Sequence, residues 1–191
     1  MITKTLLIAS NNAHKIEEIK SILGGKFEKI LSLKEVGCNL EPEENGETFF
    51  DNALIKAREI SLATGYATIS DDSGIVVDAL GGAPGVHSAR YSEAGTDEEN
   101  NKKLLKNLAG KDRTAKFVSS VVLFFSEDEI YSGHGEAHGV VLEEYRGSGG
   151  FGYDPLFLSD DLGKTYAEAT SEEKNLISHR KRALENLLAK I

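Results

Sequence analysis

The hydrophobic positions of this chain change their period along its length, and each period predicts a different element. A continuous apolar run at residues 6–9 fits a buried strand. It gives way at Ser10-Asn11-Asn12 to a helical repeat carrying Ile16, Ile19 and Leu23, which Gly24-Gly25 should stop. A second helix is expected over residues 47–64, with Phe50, Ala53, Leu54, Ala57 and Ile60 on one side and Gly65 as its stop. The apolar run at 66–69 then predicts a strand that ends in Asp71-Asp72-Ser73-Gly74, read as a strand tip beside a tight turn. Residues 75–80 read as another extended segment, followed by a Gly81-Gly82-Ala83-Pro84-Gly85 loop.

Thr96 with Glu99 predicts a capping box for a short helix carrying Leu104, Leu105 and Leu108. Residues 114–125 and 129–142 are rich in Val and Phe and alternate, which predicts a long antiparallel hairpin turning at Ser126-Glu127-Asp128. After a glycine-rich loop at 147–155, Thr170 and Glu173 form a second capping box. Ile177, Leu184, Leu187, Leu188 and Ile191 then give one C-terminal amphipathic helix. No internal repeat or low-complexity linker interrupts the chain. The expected fold is a single α/β domain over residues 1–191 with a mixed sheet, folded as two lobes around a cleft.

At 191 residues such a domain buries most of its apolar surface without staples. Cys38 is the only cysteine, so no intramolecular disulfide can form and a reducing cytoplasm is the expected setting. The first apolar run is too short for a signal-peptide core or a membrane span, so a soluble protein with no membrane partner is expected. A net charge of −9 opposes broad nucleic-acid binding, which requires many phosphates to be neutralised by Lys and Arg. A small anionic ligand needs only a local cationic pocket. The densest candidate is His179-Arg180-Lys181-Arg182, although charge runs on helices are more often solvated faces.

Five segments carry candidate chemistry. Paired carboxylates at Asp71-Asp72 suit Mg²⁺, which takes one or two carboxylates and completes its shell with water and substrate phosphates. Taken alone, a solvated turn is the better reading of those residues. Ser10-Asn11-Asn12-Ala13-His14-Lys15 opens the first helix, where backbone N–H groups and a lysine attract phosphate; plain N-capping is the alternative. No Gly-x-x-x-x-Gly-Lys-Ser/Thr sequence is present, which disfavours a P-loop hydrolase. Gly147-Ser148-Gly149-Gly150-Phe151-Gly152 matches Gly-x-Gly-x-x-Gly, but Tyr153-Asp154-Pro155 follows in place of a helix, so the dinucleotide fingerprint fails. That loop either admits a flat ring against Phe151 and Tyr153, with Asp154 accepting from a ring N–H, or is a tight turn with its aromatics in the core. Glu41, Glu43 and Glu44 before Gly46 complement a helix dipole or supply a metal ligand. Lys174, His179 and Arg180 either reach a pocket or lie on the surface.

Taken in order, these segments resemble the inosine triphosphate pyrophosphatase family. The resemblance is carried by Ser10-Asn11-Asn12-Ala13-His14-Lys15, Glu44-Asn45-Gly46-Glu47-Thr48-Phe49 with Asn52-Ala53, and Ser70-Asp71-Asp72-Ser73-Gly74. Gly81-Gly82-Ala83-Pro84-Gly85, Ser88-Ala89-Arg90-Tyr91, Gly149-Gly150-Phe151-Gly152-Tyr153-Asp154-Pro155 and Ser178-His179-Arg180 complete it. The resemblance implies a homodimer that needs Mg²⁺ and cleaves non-standard purine nucleoside triphosphates, those of hypoxanthine and xanthine and their deoxy forms, to monophosphate and diphosphate. It implies that Ser10, Asn11, Asn12, Ala13, His14 and Lys15 hold the phosphates, that Glu44 and Asp72 bind Mg²⁺, and that Asp72 is also the proton acceptor. Ser73, Phe151, Gly152, Tyr153, Asp154, Lys174, His179 and Arg180 would contact the nucleotide. The alternatives are a metal-dependent phosphatase, a pyrimidine-directed nucleotide pyrophosphatase of similar fold, and a nucleotide-sensing module without turnover.

Overall fold

The computed structural model describes residues 2–191, with side chains from Thr5 onward. The elements run β1 (Ile2–Ile8), α1 (Ala13–Leu23), β2 (Phe27–Ser32), α2 (Phe49–Thr64), β3 (Ala67–Val77), α3 (Asp97–Asn107), β4 (Thr114–Ser126), β5 (Glu129–Val141), β6 (Phe157–Ser159), α4 (Ser171–Ile177) and α5 (His179–Leu188). Two 3₁₀ turns, Asp78–Leu80 and Gly85–Arg90, link β3 to α3. The strands form one sheet in the order β2-β1-β3-β4-β5-β6. β1 pairs in parallel with both β2 and β3, whereas β5 and β6 are antiparallel, so the sheet is mixed as expected.

The chain divides into two compact units. The first holds the residues up to Asp72 together with Ser119–Gly135 and Arg180–Ile191. Alternation along its strands gives it a core on each sheet face. Leu6, Ile8, Val121 and Leu123 pack with Ile19 and Leu23 of α1 and with Ala183, Leu184 and Leu187 of α5. The intervening side chains turn the other way: Leu7 and Ala9 meet Ile60, and Val122 and Phe124 meet Ala53 and Ala57 of α2. Phe50, expected on that apolar stripe, is 41% exposed because it sits in the first turn of α2, outside the contact. Thr48 and Asp51 cap this helix reciprocally, and Gly65 ends it in the left-handed conformation at φ 74°.

The second unit comprises Ser73–Val118 and Glu136–His179. Its core gathers Ile75 and Val77 of β3, Leu104 and Leu108 at α3, and the rings of Phe117, Tyr153, Phe157 and Tyr166. Thr96 caps α3 by accepting from the Glu99 amide, but the Glu99 carboxylate turns to Lys102, so only half of the expected box forms.

Two expectations are corrected. Asp71-Asp72-Ser73-Gly74 is not a turn at a strand tip; these residues lie inside β3, which continues unbroken to Val77 and absorbs the first half of the segment read as a separate strand, the rest being the 3₁₀ turn Asp78–Leu80. β3 lies between β1 and β4, and ladder pairing overrides the weak strand preference of Asp, Ser and Gly. The C-terminal helix is also not continuous. Ser178 takes an extended conformation (ψ 156°) that ends α4, and α5 starts afresh at His179. Ile177 packs on the core of the second unit, whereas Leu184 and Leu187 belong to the first, so the apparent single stripe is two half-stripes.

Candidate active site

In the first unit the β1–α1 junction is built by local polar bonds. Asn12 caps α1 by accepting from the Lys15 amide at 3.1 Å, and its own N–H donates to Ser10 Oγ at 3.1 Å. The capping reading holds, and the cap satisfies one of several first-turn donors. Ser10, Asn11 and Ala13 line a cavity of about 760 Å³, along with Lys20 and Lys34. The Lys15 side chain instead reaches Asp71, with Nζ to Oδ2 at 2.7 Å.

Asp71 is the anchor of a buried charge network. It accepts from Lys15, from Arg180 at 3.2 Å and from the Ser119 hydroxyl, and Arg180 also pairs with Glu18. Burial pushes the Asp71 carboxyl upward, but Arg180 and Lys15 outweigh it and hold it well below the usual carboxylate range. Burial likewise lowers the Lys15 ammonium, with Asp71 opposing that shift. Arg180 is desolvated too, yet Asp71 and Glu18 keep it charged.

Asp72 lies next door under opposite conditions. Burial raises its pKa, and nearby Glu44 adds to this; Lys56 and Lys15 offset only part. Asn52 Nδ2 donates to Asp72 Oδ2 at 3.1 Å, while Asn52 Oδ1 accepts from the Gly46 amide at 2.8 Å, tying the loop before α2 to β3. Lys56 bridges the Glu44 carboxylate at 3.0 Å and the Asp71 carbonyl at 3.1 Å. Asn52 and Lys56 are four residues apart and so share a face of α2. No group of three or more His, Cys, Asp or Glu able to hold a metal occurs among the described residues.

The second unit gathers the aromatic loop. Lys174 Nζ pairs with Asp154 Oδ2 at 2.8 Å and lies 4.8 Å from the Phe151 ring centre, a cation–π placement. Asp154 Oδ2 also accepts from the Phe151 amide at 3.1 Å. Tyr153 is a core residue whose hydroxyl donates to the Ser88 carbonyl at 2.6 Å, and burial pushes that hydroxyl upward. The core reading holds for Tyr153, whereas the Phe151 ring is only half-buried. His179 is not a surface residue: it is 4% exposed, and its ring stacks 4.8 Å from Phe117 at 14°. Ser73 and Gly152 belong to the same unit, as do Lys174 and His179, whereas Arg180 belongs to the first.

The Ham1 family profile matches residues 6–190. The chain belongs to the Ham1 family. Among curated relatives, the dITP/XTP pyrophosphatase of Clostridium perfringens is 47% identical over 194 residues, covering 96% of this chain and 95% of that protein. The Ham1 protein of Staphylococcus aureus superposes with a TM-score of 0.87 at 38% identity, covering 98% of this chain and 97% of its own. A nucleoside-triphosphatase / dITP/XTP pyrophosphatase from Mycobacterium abscessus gives 0.77 at 43% identity, covering 96% and 98%. These matches bear out the family resemblance and the α/β fold read from the motifs.

Residues outside the expected set also shape the site. Lys56 and Glu18 had no signal beyond helical spacing to neighbouring polar positions, and Asn52 was visible only as part of a motif. Ser119 had one legible cue, a Ser119-Ser120 pair inside an otherwise apolar strand. Among the described residues no helix is long and apolar enough to cross a membrane.

Proposed function

We propose that the chain is a magnesium-dependent hydrolase that cleaves non-standard purine nucleoside triphosphates, ITP and XTP with their deoxy forms, to the monophosphate and diphosphate. The activity named for its relatives supports this reading, and the observation that carries it is the nearness of Asp72, a buried carboxylate, to Glu44 and to the charge network around Lys15. Phosphate handling is assigned to the first unit. Ser10, Asn11, Asn12, Ala13 and His14 offer hydroxyl, amide and helix-start N–H donors to the phosphate oxygens, and Lys15 supplies the positive charge.

Asp72 takes the proton from the attacking water at a carboxylate oxygen, with diphosphate leaving from the α-phosphorus. A base is most effective when its pKa approaches the working pH, and burial moves Asp72 in that direction. Asn52 orients the carboxylate through Oδ2. Two acids, Glu44 and Asp72, fit a Mg²⁺ site, because that ion prefers a few carboxylates and fills the rest of its shell with water and phosphate. When bound it supplies charge neutralisation to the phosphate oxygens.

Base recognition is assigned to the second unit, with Phe151 as the stacking surface, Gly152, Tyr153 and Asp154 shaping its loop, and Ser73, Lys174 and His179 as contacts. Arg180 is assigned to the nucleotide as well, its charge fixed by Asp71 and Glu18. Hypoxanthine and xanthine present a 6-oxo acceptor where adenine presents an amino donor. A Lys174 ammonium held by Asp154 matches the former, and a buried donor left unpaired costs about 1–3 kcal/mol, roughly ten- to hundredfold in selection. The proposal includes a homodimer in the cytoplasm. Its test is diphosphate release from ITP, XTP, GTP and ATP with Mg²⁺: kcat/KM should favour ITP and XTP over ATP. Orthophosphate as the sole product, or a preference for ATP, overturns it.

A further inference from the structure

The Phe151-Gly152-Tyr153-Asp154 loop is held from three sides within its own unit. Asp154 and Tyr153 are tied to Lys174 and Ser88. Gly152 is held differently. Its N–H donates to Asp97 Oδ2 at 2.7 Å and its carbonyl accepts from Asn101 Nδ2 at 2.9 Å. Asp97 and Asn101 are four residues apart and so share one face of α3. Gly152 sits at φ 60°, and apart from its chain neighbours no heavy atom comes within 4 Å of the place a Cβ would occupy. Packing against a side chain at this position therefore plays no part, and the two hydrogen bonds define the Gly152 peptides.

Asn101 is 3% exposed, and its Oδ1 is a buried acceptor without a hydrogen bond among the described residues. A buried unsatisfied oxygen is costly, so the amide is a liability at this position except for the donor it offers Gly152. The neighbouring Asn100 performs a parallel task on the preceding loop: it accepts from the Ser92 amide at 2.7 Å and donates to the Ala89 carbonyl at 3.1 Å. This face of α3 is thus a polar clamp on two loops, although the helix reads in sequence as a carrier of core leucines.

We infer that Asp97 and Asn101 are positioning residues for purine binding, fixing the Phe151 ring through the two polar groups of Gly152. The inference rests on the nucleotide reading above and concerns the base alone. A ring that stacks on a base must keep its height and tilt, and Phe151 is joined directly to the clamped residue. The phosphate-handling residues lie in the other unit and make none of these bonds.

The test titrates wild type, Asp97→Ala, Asp97→Asn and Asn101→Leu calorimetrically with inosine monophosphate and with inorganic triphosphate in magnesium buffer. Asp97→Ala and Asn101→Leu should each weaken the monophosphate about tenfold, the value of one well-made hydrogen bond, and leave triphosphate within about twofold. Asp97→Asn keeps an oxygen for the Gly152 N–H and should restore most of the affinity. Unchanged monophosphate binding in both weakening variants overturns the clamp, as does an equal loss for both ligands, which marks a fold defect. Asn101→Leu keeps the branched shape of the side chain and serves where Asp97→Ala does not fold. Wild type that binds no inosine monophosphate also overturns it. Diphosphate release by wild type, measured in parallel, separates the two ideas: its absence rejects the catalytic reading, whereas the difference between the two ligands still judges the clamp.

Discussion

Asp71 and Asp72 are consecutive residues of one strand, yet their carboxylates are driven in opposite directions, Asp71 well below its ordinary pKa and Asp72 above it. The strand pleat turns successive side chains to opposite faces. Asp71 meets Lys15, Arg180 and Ser119, whereas Asp72 meets Asn52 and the field of Glu44. One carboxylate is thereby fixed as a structural anion, and the other is kept available for a proton.

Replacing Asp72 by Asn removes the proton acceptor while keeping its shape. kcat should fall about 10²- to 10⁴-fold, with nucleotide binding partly retained. Steady-state diphosphate release and equilibrium binding measure the two effects; near-normal turnover would falsify the assignment.

The pH profile follows from the direction of the Asp72 shift. The base works only when deprotonated, so activity rises with pH through its folded pKa; burial pushes that pKa above the ordinary aspartate value of about 3.9 in the metal-free site, and bound Mg²⁺ would draw it back down. Lys56 lowers the Asp72 pKa, so Lys56→Met should move the limb of kcat/KM to higher pH. A limb that stays in place or shifts down counts against Asp72 as the base.

Asp71→Asn removes the carboxylate that pairs with both Lys15 and Arg180, leaving Arg180 with Glu18 and Lys15 without its ion-pair partner. Stability should drop by about 3–5 kcal/mol in urea unfolding at neutral pH. Because the folded pKa of Asp71 is lowered, its contribution is present above about pH 3.9 and is lost as pH falls through the folded value. The variant should therefore lose that portion of the acid dependence.

Lys174→Met removes the ammonium held between Asp154 and the Phe151 ring. KM for ITP should rise about ten- to hundredfold and the ITP-to-ATP preference should narrow. An unchanged preference ratio in the nucleotide panel assigns base selection elsewhere.

Gly133 of β5 lies under α5, where an added Cβ would stand 2.7 Å from the Leu187 amide nitrogen. Helix backbone cannot retreat as a side-chain tip can, so Gly133→Ala should cost about 1–3 kcal/mol in thermal or urea unfolding. Unaltered stability would show that α5 is free to shift.

Elements whose pattern is local were legible in the chain. Ile16, Ile19 and Leu23 bounded by Gly24 became α1, and the alternating stretch around Ser126-Glu127-Asp128 became the β4–β5 hairpin. Residues 71–74 were misread because Asp, Ser and Gly favour turns in isolation, and only pairing on both sides of β3 makes them a strand. The C-terminal helix was misread because Ile177 and Leu184 share a helical period but serve different cores.

By itself the sequence determined the family, the order of motifs and the chemical types at hand: a lysine after a polar helix start, paired acids, and a glycine-bounded aromatic loop. Those depend on neighbours along the chain. Only tertiary structure decided which acid's pKa falls and which rises, that Arg180 pairs with Asp71 and Glu18, and that α3 grips Gly152. These outcomes depend on burial and on partners far away in sequence, since desolvation and a counter-ion a few ångströms off set the charge of a group, and neither is encoded by adjacent residues.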